Sequence, residues 1–235
     1  MASAKGKGDV RVFNKREDLS VSLAKYMADL SDKVIKDRGA FTIVVSGGDL
    51  FESLGKLVES PYKESLDWSR WHVFWLDERV VPKNHPDSNY LLAYDHFLSK
   101  VPILPGNVYA INDALSAEGA ADDYETCMGP DGHVASLFPG HPLVQEKEKW
   151  VTFIKDSPKP PPERITFTFP VINSSANIAL VIVGDAAAHA VHVALDDVEN
   201  SNVLPIQMVS PEGPLTWFLD NEAASKLKMA TDVAK

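Results

Sequence analysis

The apolar positions of the chain follow two different spacings, one typical of helices and one typical of buried strands. Leu19, Leu23, Met27, Leu30 and Val34 recur every three or four residues, which predicts an amphipathic helix that ends at Gly39. Further helices are predicted at 50–58, 89–98, 116–126 and 186–195, and strands at 10–13, 41–45, 71–76, 108–111, 150–154, 165–169 and 178–183. The runs 41–45 and 178–183 are wholly or almost wholly apolar, as in strands covered on both faces. Alternating strands and helices predict an α/β fold.

Composition narrows the class of protein. The 235 residues are 45% apolar and carry a formal charge of −10, which argues against a nucleic-acid or anionic membrane surface. No apolar run is as long as a membrane-spanning helix requires, and the amino terminus lacks the apolar core of a secretory signal. The single cysteine, Cys127, cannot form an intramolecular disulfide, which fits a reducing compartment. We expect one domain over residues 1–235, a monomer, located in the cytoplasm.

A glycine-rich stretch from Met128 to His141 holds the first candidates for chemistry. Asp131 and His133 are acid/base candidates, and Gly129 and Gly132 beside them let a ligand approach the backbone. For an isolated Asp-Gly-His the simpler interpretation is a turn with a solvated histidine.

Two further candidates follow predicted strands. Ser46, Gly47 and Gly48 end the strand at 41–45 and precede a helix, a geometry that presents backbone N–H groups to an anion. Asp77 and Arg79 follow the strand at 71–76, at the end of a sheet where α/β proteins bind ligands. The alternatives are a plain connection for the glycine turn and a surface ion pair for the charged residues.

Several of these stretches together are similar to one family. They are GPDGHVASLFP (129–139), FTIVVSGGDL (41–50), WHVFWLDERVVP (71–82), DSNY (87–90) and ERITFTFPVIN (163–173). In this order they resemble the 6-phosphogluconolactonases, in particular a cytosolic plant form, and more distantly the glucosamine-6-phosphate deaminases. The resemblance implies a three-layer, Rossmann-like fold with a mainly parallel sheet and helices on both faces.

The resemblance also implies a reaction, hydrolysis of 6-phosphoglucono-1,5-lactone to 6-phosphogluconate in the oxidative pentose phosphate pathway. In the implied mechanism His133 activates a water molecule, and Asp131 or Asp77 orients the imidazole or the water. The turn at 46–48, Gly129, Gly132 and Arg79 are expected to bind the sugar phosphate. No metal ion or organic cofactor is expected, and the only expected partner is the small-molecule lactone.

Three departures from the family pattern leave alternatives open. Asp49 stands where the family usually has a small hydroxyl residue, and Ala187 where it commonly has a lysine that helps to hold the phosphate. The helix at 116–126 runs through Cys127 into the glycine-rich stretch, so that the end of a helix, a loop and one strand are expected to be missing between Cys127 and Met128. A catalytically impaired splice-type isoform, with a binding role or none, and an amino-sugar phosphate deaminase are therefore the alternatives.

Overall fold

The computed structural model describes residues 8–127, 136–196 and 203–228. The strands are β1 (Asp9–Phe13), β2 (Phe41–Val45), β3 (Trp71–Trp75), β4 (Asp77–Arg79), β5 (Val151–Ile154), β6 (Arg164–Phe167), β7 (Ile178–Ile182) and β8 (Leu215–Asp220). The helices are α1 (Arg16–Arg38), α2 (Leu50–Ser53), α3 (Tyr62–Ser65), α4 (Asn89–His96), α5 (Ala117–Cys127), α6 (Phe169–Asn173) and α7 (Ala188–Leu195).

The described strands form two parallel sheets and one antiparallel sheet. The parallel sheets have the orders β1-β8-β7 and β2-β3, and the antiparallel sheet has the order β4-β6-β5. The prediction of a mainly parallel α/β fold is confirmed. The antiparallel sheet was not predicted, and it makes Asp77 and Arg79 part of a short strand of their own rather than an extension of β3.

Helices cover both faces of the parallel strands, as predicted. Along β8, Phe218 packs into the cluster that contains α1, whereas Trp217 and Leu219 pack into the cluster that contains α7. Along β3, Val73 faces the cluster with α4 and Phe74 faces the cluster with α5. Because neighbouring side chains of a strand point to opposite faces, this division places α1 and α4 in one layer and α5 and α7 in the other.

The carboxyl ends of four strands meet at one pocket of about 390 Å³. Its lining includes Asn14 after β1, Asp49 after β2, Gly184 after β7 and Asp220 at the end of β8. All four strands therefore run in the same direction. Among the described residues, β2 pairs only with β3 and β7 pairs only with β8, so the parallel strands lie in two separate sheets.

Two predicted elements differ from the observed ones. The helix predicted at 50–58 is broken into α2 and a 3-10 turn at Gly55–Val58, because glycine is a poor helix former in an interior position. The strand predicted at 108–111 is reduced to a single parallel bridge between Val108 and Val73. None of the helices in the described ranges combines the length and the apolarity needed to cross a membrane.

Candidate active site

The candidate site is built around Asp77, which begins β4. Antiparallel pairing of β4 with β6 sets Asp77 opposite Thr166. The hydroxyl of Ser136 donates a hydrogen bond to the Asp77 carboxylate, and the Ser136 backbone N–H donates to the Thr166 hydroxyl. Ser136 and Thr166 are both buried. The glycine-rich stretch is thus fixed to a carboxylate through Ser136.

The surroundings of Asp77 disfavour its charged form. Burial raises the pKa of Asp77, and the hydrogen bond from Ser136 and the guanidinium groups of Arg79 and Arg164 oppose that rise. Loss of hydration is the largest of these effects. A carboxyl group with a raised pKa close to two arginines is an arrangement typical of functional sites.

The glycine turn after β2 reaches the same place through Asn89. The Asn89 side-chain amide donates to the backbone oxygen of Asp77 at 2.9 Å. A Cβ atom at Gly47 would overlap the side-chain oxygen of Asn89, so only glycine allows this close approach. Gly48 has a positive φ of 68°, which other residues rarely adopt. The predicted anion-binding turn and the backbone of Asp77 therefore both lie beside the Asn89 side chain.

Arg79 and Arg164 are directly paired across β4 and β6. Arg79 donates to the backbone oxygen of Asp87 at 2.8 Å, and its buried Nε has no hydrogen-bond partner in the described part of the chain. Burial is the main cause that lowers the pKa of Arg164, and the charge of Arg79 adds to it. Arg164 donates its Nε to the Pro161 oxygen at 3.0 Å and its Nη2 to the Lys159 oxygen at 2.9 Å, so these donors are already used. Arg79, whose Nε has no partner among the described residues, is the cation that suits an anionic group such as phosphate.

Glu78, the middle residue of the charged triplet, has a structural role. Its carboxylate accepts the backbone N–H groups of Asn89 and Tyr90, both at 2.8 Å, at the start of α4. Glu78 is 1% exposed. It therefore holds the first turn of α4 and does not face the site.

Asp49 is turned toward an arginine. Its carboxylate lies 2.6 Å from the Arg16 guanidinium, and the side chain makes no capping hydrogen bond to α2. The 390 Å³ pocket at the strand ends is lined by Asp49, Asp220 and Glu222, and of the described residues that line it only Arg16 is basic. This pocket is mostly acidic, and Arg16 is already engaged by Asp49 and Glu52.

Four predicted site residues lie outside the described residues. They are Gly129, Asp131, Gly132 and His133, and their roles stay predictions. The described chain resumes at Ser136, three residues after His133, where Ser136 binds Asp77. Phe138 adds a second fixed point, because the Arg164 guanidinium lies 5.7 Å from the centre of its ring.

Sequence reasoning missed Ser136, Asn89 and Arg164 as members of the site. Each of them lies inside a quoted motif, but polar residues within a motif do not reveal which of them turn inward. The signal that could have found Arg164 is its position in an otherwise apolar and threonine-rich strand. Within the described ranges no cluster of three His, Cys, Asp or Glu side chains could hold a metal ion.

Comparison with known proteins gives a consistent result. The family model described as glucosamine-6-phosphate isomerases/6-phosphogluconolactonase matches residues 14–128 and 126–217. The chain is 61% identical over 245 aligned positions to 6-phosphogluconolactonase 3, chloroplastic, of Arabidopsis thaliana, with 93% of this chain and 75% of that protein covered. It is 48% identical over 254 positions to probable 6-phosphogluconolactonase 1 of the same plant, with 95% of each covered. A solved 6-phosphogluconolactonase from Thermotoga maritima is 26% identical with a TM-score of 0.77, covering 90% of this chain and 99% of that one.

The same comparisons bear on the missing segment. The family match divides into two stretches that meet at 126–128, the junction at which the sequence predicts a loss. The alignment with the 61% identical relative has 245 positions, but the 93% of this chain that it covers is only about 219 residues. About 26 positions of that alignment therefore have no counterpart in this chain. The same subtraction for the second relative, 254 less roughly 223, leaves about 31.

Proposed function

Because the chain belongs to the glucosamine-6-phosphate isomerase/6-phosphogluconolactonase family, we propose that it hydrolyses 6-phosphoglucono-1,5-lactone to 6-phosphogluconate. The observation that carries the proposal is the hydrogen bond from Ser136 to Asp77. It joins the end of the glycine-rich signature, three residues after His133, to the carboxylate at the start of β4. The names of the relatives support the same reaction.

In the proposed reaction His133 removes a proton from a water molecule, and the oxygen of that water molecule attacks the lactone carbonyl carbon. The resulting tetrahedral intermediate collapses, the bond from this carbon to the ring oxygen breaks, and the ring oxygen takes the proton that His133 had removed from water. Asp77 acts as a positioning residue, because its carboxyl holds Ser136 three residues from His133. A neutral imidazole is suited to this role because it titrates near the working pH.

Arg79 is proposed to hold the phosphate, and Arg164 lies beside it. Their pairing across β4 and β6 gives two guanidinium groups at the Asp77 end of the site, and one buried donor of Arg79 has no partner in the described residues. Fixing the phosphate there holds the lactone at a constant distance from the attacking water, and positioning of this kind is a major source of rate acceleration. The backbone of the turn at 46–48, Gly129 and Gly132 complete the proposed binding surface.

The direct test is the rate of lactone hydrolysis above the spontaneous rate, measured with the purified chain. We expect acceleration by the wild-type chain, loss of that acceleration in His133→Ala, and no change in His96→Ala, whose histidine is exposed on α4. If the wild-type chain gave no acceleration, the proposal would be wrong for this chain although its family would stand.

A catalytically impaired isoform is the second candidate, favoured by the acidic pocket at the strand ends. Asp49, Asp220 and Glu222 repel an anion there, and Ala187 supplies no cation. A folded chain that melts cooperatively yet does not accelerate hydrolysis would support this candidate. No contact among the described residues specifically favours the remaining alternative, an amino-sugar phosphate deaminase.

We further propose that the protein is monomeric, does not bind nucleic acid and lies in the cytoplasm. The charge of −10 supports the second point, and a single cysteine suits a reducing compartment. Imaging of the full-length protein fused to a fluorescent tag tests the location, and co-localisation with a plastid marker would contradict it.

A further inference from the structure

A slot separates the two parallel sheets. It has a volume of about 700 Å³, and its lining includes residues 40–45 of the β2 region, Ala179 and Val181 of β7, and both apolar and charged residues of α1, the charged ones being Lys33, Asp37 and Arg38. Ala40 and Asn177, which precede β2 and β7, line the same pocket. Because β2 and β7 run in the same direction, the slot has the walls that a parallel strand needs.

Within residues 8–127, 136–196 and 203–228, the backbone groups that both walls present to the slot have no strand partner. Val45 accepts the Leu76 N–H at 2.9 Å, so Val45 and every second residue before it face β3. Thr42 and Val44 consequently face the slot, since successive residues of a strand direct their backbone groups to opposite edges.

The same reasoning applies to β7. Ile178 donates its N–H to Pro214 at 2.9 Å on the β8 side, which leaves the backbone groups of Ala179 and Val181 facing the slot. Two facing edges with unpaired backbone groups are a template for another strand.

The side chains around the slot are less covered than those of comparable strands. Phe218 and Leu219 of β8, which has a strand on each side, are 0% exposed. In contrast, Ile43 and Val44 of β2 and four of the five residues of β7 are half-buried, although both strands are apolar. The incompletely covered side chains of both strands are therefore mainly apolar.

Two relatives carry chain that has no counterpart in this protein. They carry about 26–31 positions that have no counterpart here, and the family match breaks at 126–128. Two partly buried apolar residues of the 23-residue helix α1, Leu30 and Val34, line one face of the slot. A strand as long as its five-residue walls spans about 17 Å and requires only a short segment of chain.

We propose that the slot between β2 and β7 binds an extended apolar peptide strand from another polypeptide, parallel to both walls. Its backbone would pair with Thr42 and Val44 on one side and with Ala179 and Val181 on the other, while alternate side chains cover α1. This recognition is strand addition, in which main-chain hydrogen bonds supply affinity and alternate side chains supply selectivity.

The probe for the test is a fluorescein-labelled synthetic peptide. It has the sequence of the segment that the 61% identical Arabidopsis relative carries and this chain lacks. We expect saturable binding to the full-length chain by fluorescence anisotropy, and no saturable binding of a scrambled peptide of the same composition. Hydrogen exchange should show the amides of Thr42, Val44, Ala179 and Val181 exchanging fast in the free chain and becoming protected by the peptide.

Variants at Ala179 test the geometry. Ala179→Pro removes a slot-facing N–H and places a ring in the slot but leaves the Ile178 pairing with Pro214 in place. We expect it to weaken binding by at least about tenfold, whereas Ala179→Val, which keeps the N–H, should bind within about twofold of wild type. If Ala179→Pro does not fold, Thr42→Pro on the opposite wall replaces it.

Three results would overturn the proposal. One is equal binding of the scrambled peptide, and a second is equal binding to the proline and valine variants. The third is protection of the slot-facing amides in the absence of any peptide. If the protein were then a dimer, a second copy would fill the slot. If it were a monomer, another part of the same chain would fill it. None of these measurements depends on lactone hydrolysis.

Discussion

At the scale of single residues, Asp77 combines a proposed role in catalysis with a cost to the folded state. The pKa of its carboxyl is raised because burial outweighs the hydrogen bond from Ser136 and the nearby arginines. Asp77→Asn should lower the rate of lactone hydrolysis by roughly a hundredfold or more, since it disturbs the group that holds Ser136 next to the proposed general base. The measurement is kcat and KM, with Asp95→Asn, an exposed change on α4, as the control.

The same substitution should change the pH dependence of stability in a defined direction. Between the pKa of a free aspartate, about 3.9, and the raised pKa of Asp77, the folded state binds more protons than the unfolded state. The contribution of Asp77 to the free energy of unfolding therefore falls as the pH rises through that window and stays low above it. Asp77→Asn should unfold at a higher urea concentration than wild type at pH 7, and the difference should shrink below about pH 4. A less stable variant at pH 7 would contradict this account.

The sequence predicted part of this site, and the limits of that prediction have a physical origin. Asp77 and the turn at 46–48 were found because strand ends and glycine turns are local features that can be read along the chain. Asn89 joins the two only through a contact between distant elements, which residue spacing does not reveal. Arg164 escaped notice because its neighbour Arg79 lies 85 positions away in sequence and meets it only through the pairing of β4 with β6.

At the scale of elements, the first turn of α4 depends on the buried carboxylate of Glu78. Burial raises the pKa of Glu78, and the backbone N–H groups of Asn89, Arg79 and Tyr90 oppose the rise. Both carboxylate oxygens are used as acceptors. Glu78→Gln replaces one acceptor with an NH₂ group that faces an N–H donor, so we expect a loss of about 1–3 kcal/mol in the free energy of unfolding.

The matched comparison is Ser88→Ala at the same end of α4. The Ser88 hydroxyl accepts a weaker hydrogen bond from the Leu91 N–H at 3.3 Å, and its loss should cost about 1 kcal/mol or less. Urea denaturation of both variants gives the order of the two effects. Glu78 would not be the main support of this turn if Ser88→Ala proved the more destabilising change.

Elements were predicted best where the apolar pattern is long and regular. In α1 the apolar residues that recur every three or four positions predicted the helix, and Gly39 predicted where it ends. The antiparallel sheet was not predicted because three- and four-residue strands such as β4 and β6 do not reveal their partners. The apolar pattern at 50–58 predicted one continuous helix. The structure instead has α2 followed by a 3-10 turn that begins at Gly55, because glycine disfavours the interior of a helix.

At the scale of the whole molecule, the most consequential prediction was the loss of a strand between Cys127 and Met128. The described parallel strands form two sheets, the family match divides at 126–128, and two relatives have about 26–31 aligned positions without a counterpart in this chain. The free energy of unfolding of a folded domain is only about 5–15 kcal/mol. An open slot with half-buried walls therefore lowers it by an amount that is large in comparison. The chain keeps clusters of buried side chains on both sides of the slot, which explains how the two sheets can persist.

This view predicts that restoring the segment within the chain stabilises it. The segment of the 61% identical relative, inserted between Cys127 and Met128, should raise the free energy of unfolding by several kcal/mol. Each newly buried Val, Leu or Ile contributes about 1.5–3 kcal/mol before the entropy of ordering it is subtracted. The dependence of that free energy on urea concentration should also become steeper, because more surface is buried in the folded state.

A flexible insert of equal length, rich in glycine and serine, provides the control at the same junction. It adds chain without an apolar strand, so it should leave the midpoint of unfolding unchanged or lower it slightly. Equal midpoints for the two inserts would show that the slot is not a strand site, whereas a gain confined to the relative's segment would show that the two sheets are halves of one. In the second case the amides of Val44 and Val181, on opposite walls, should become protected together, because one inserted strand pairs with both.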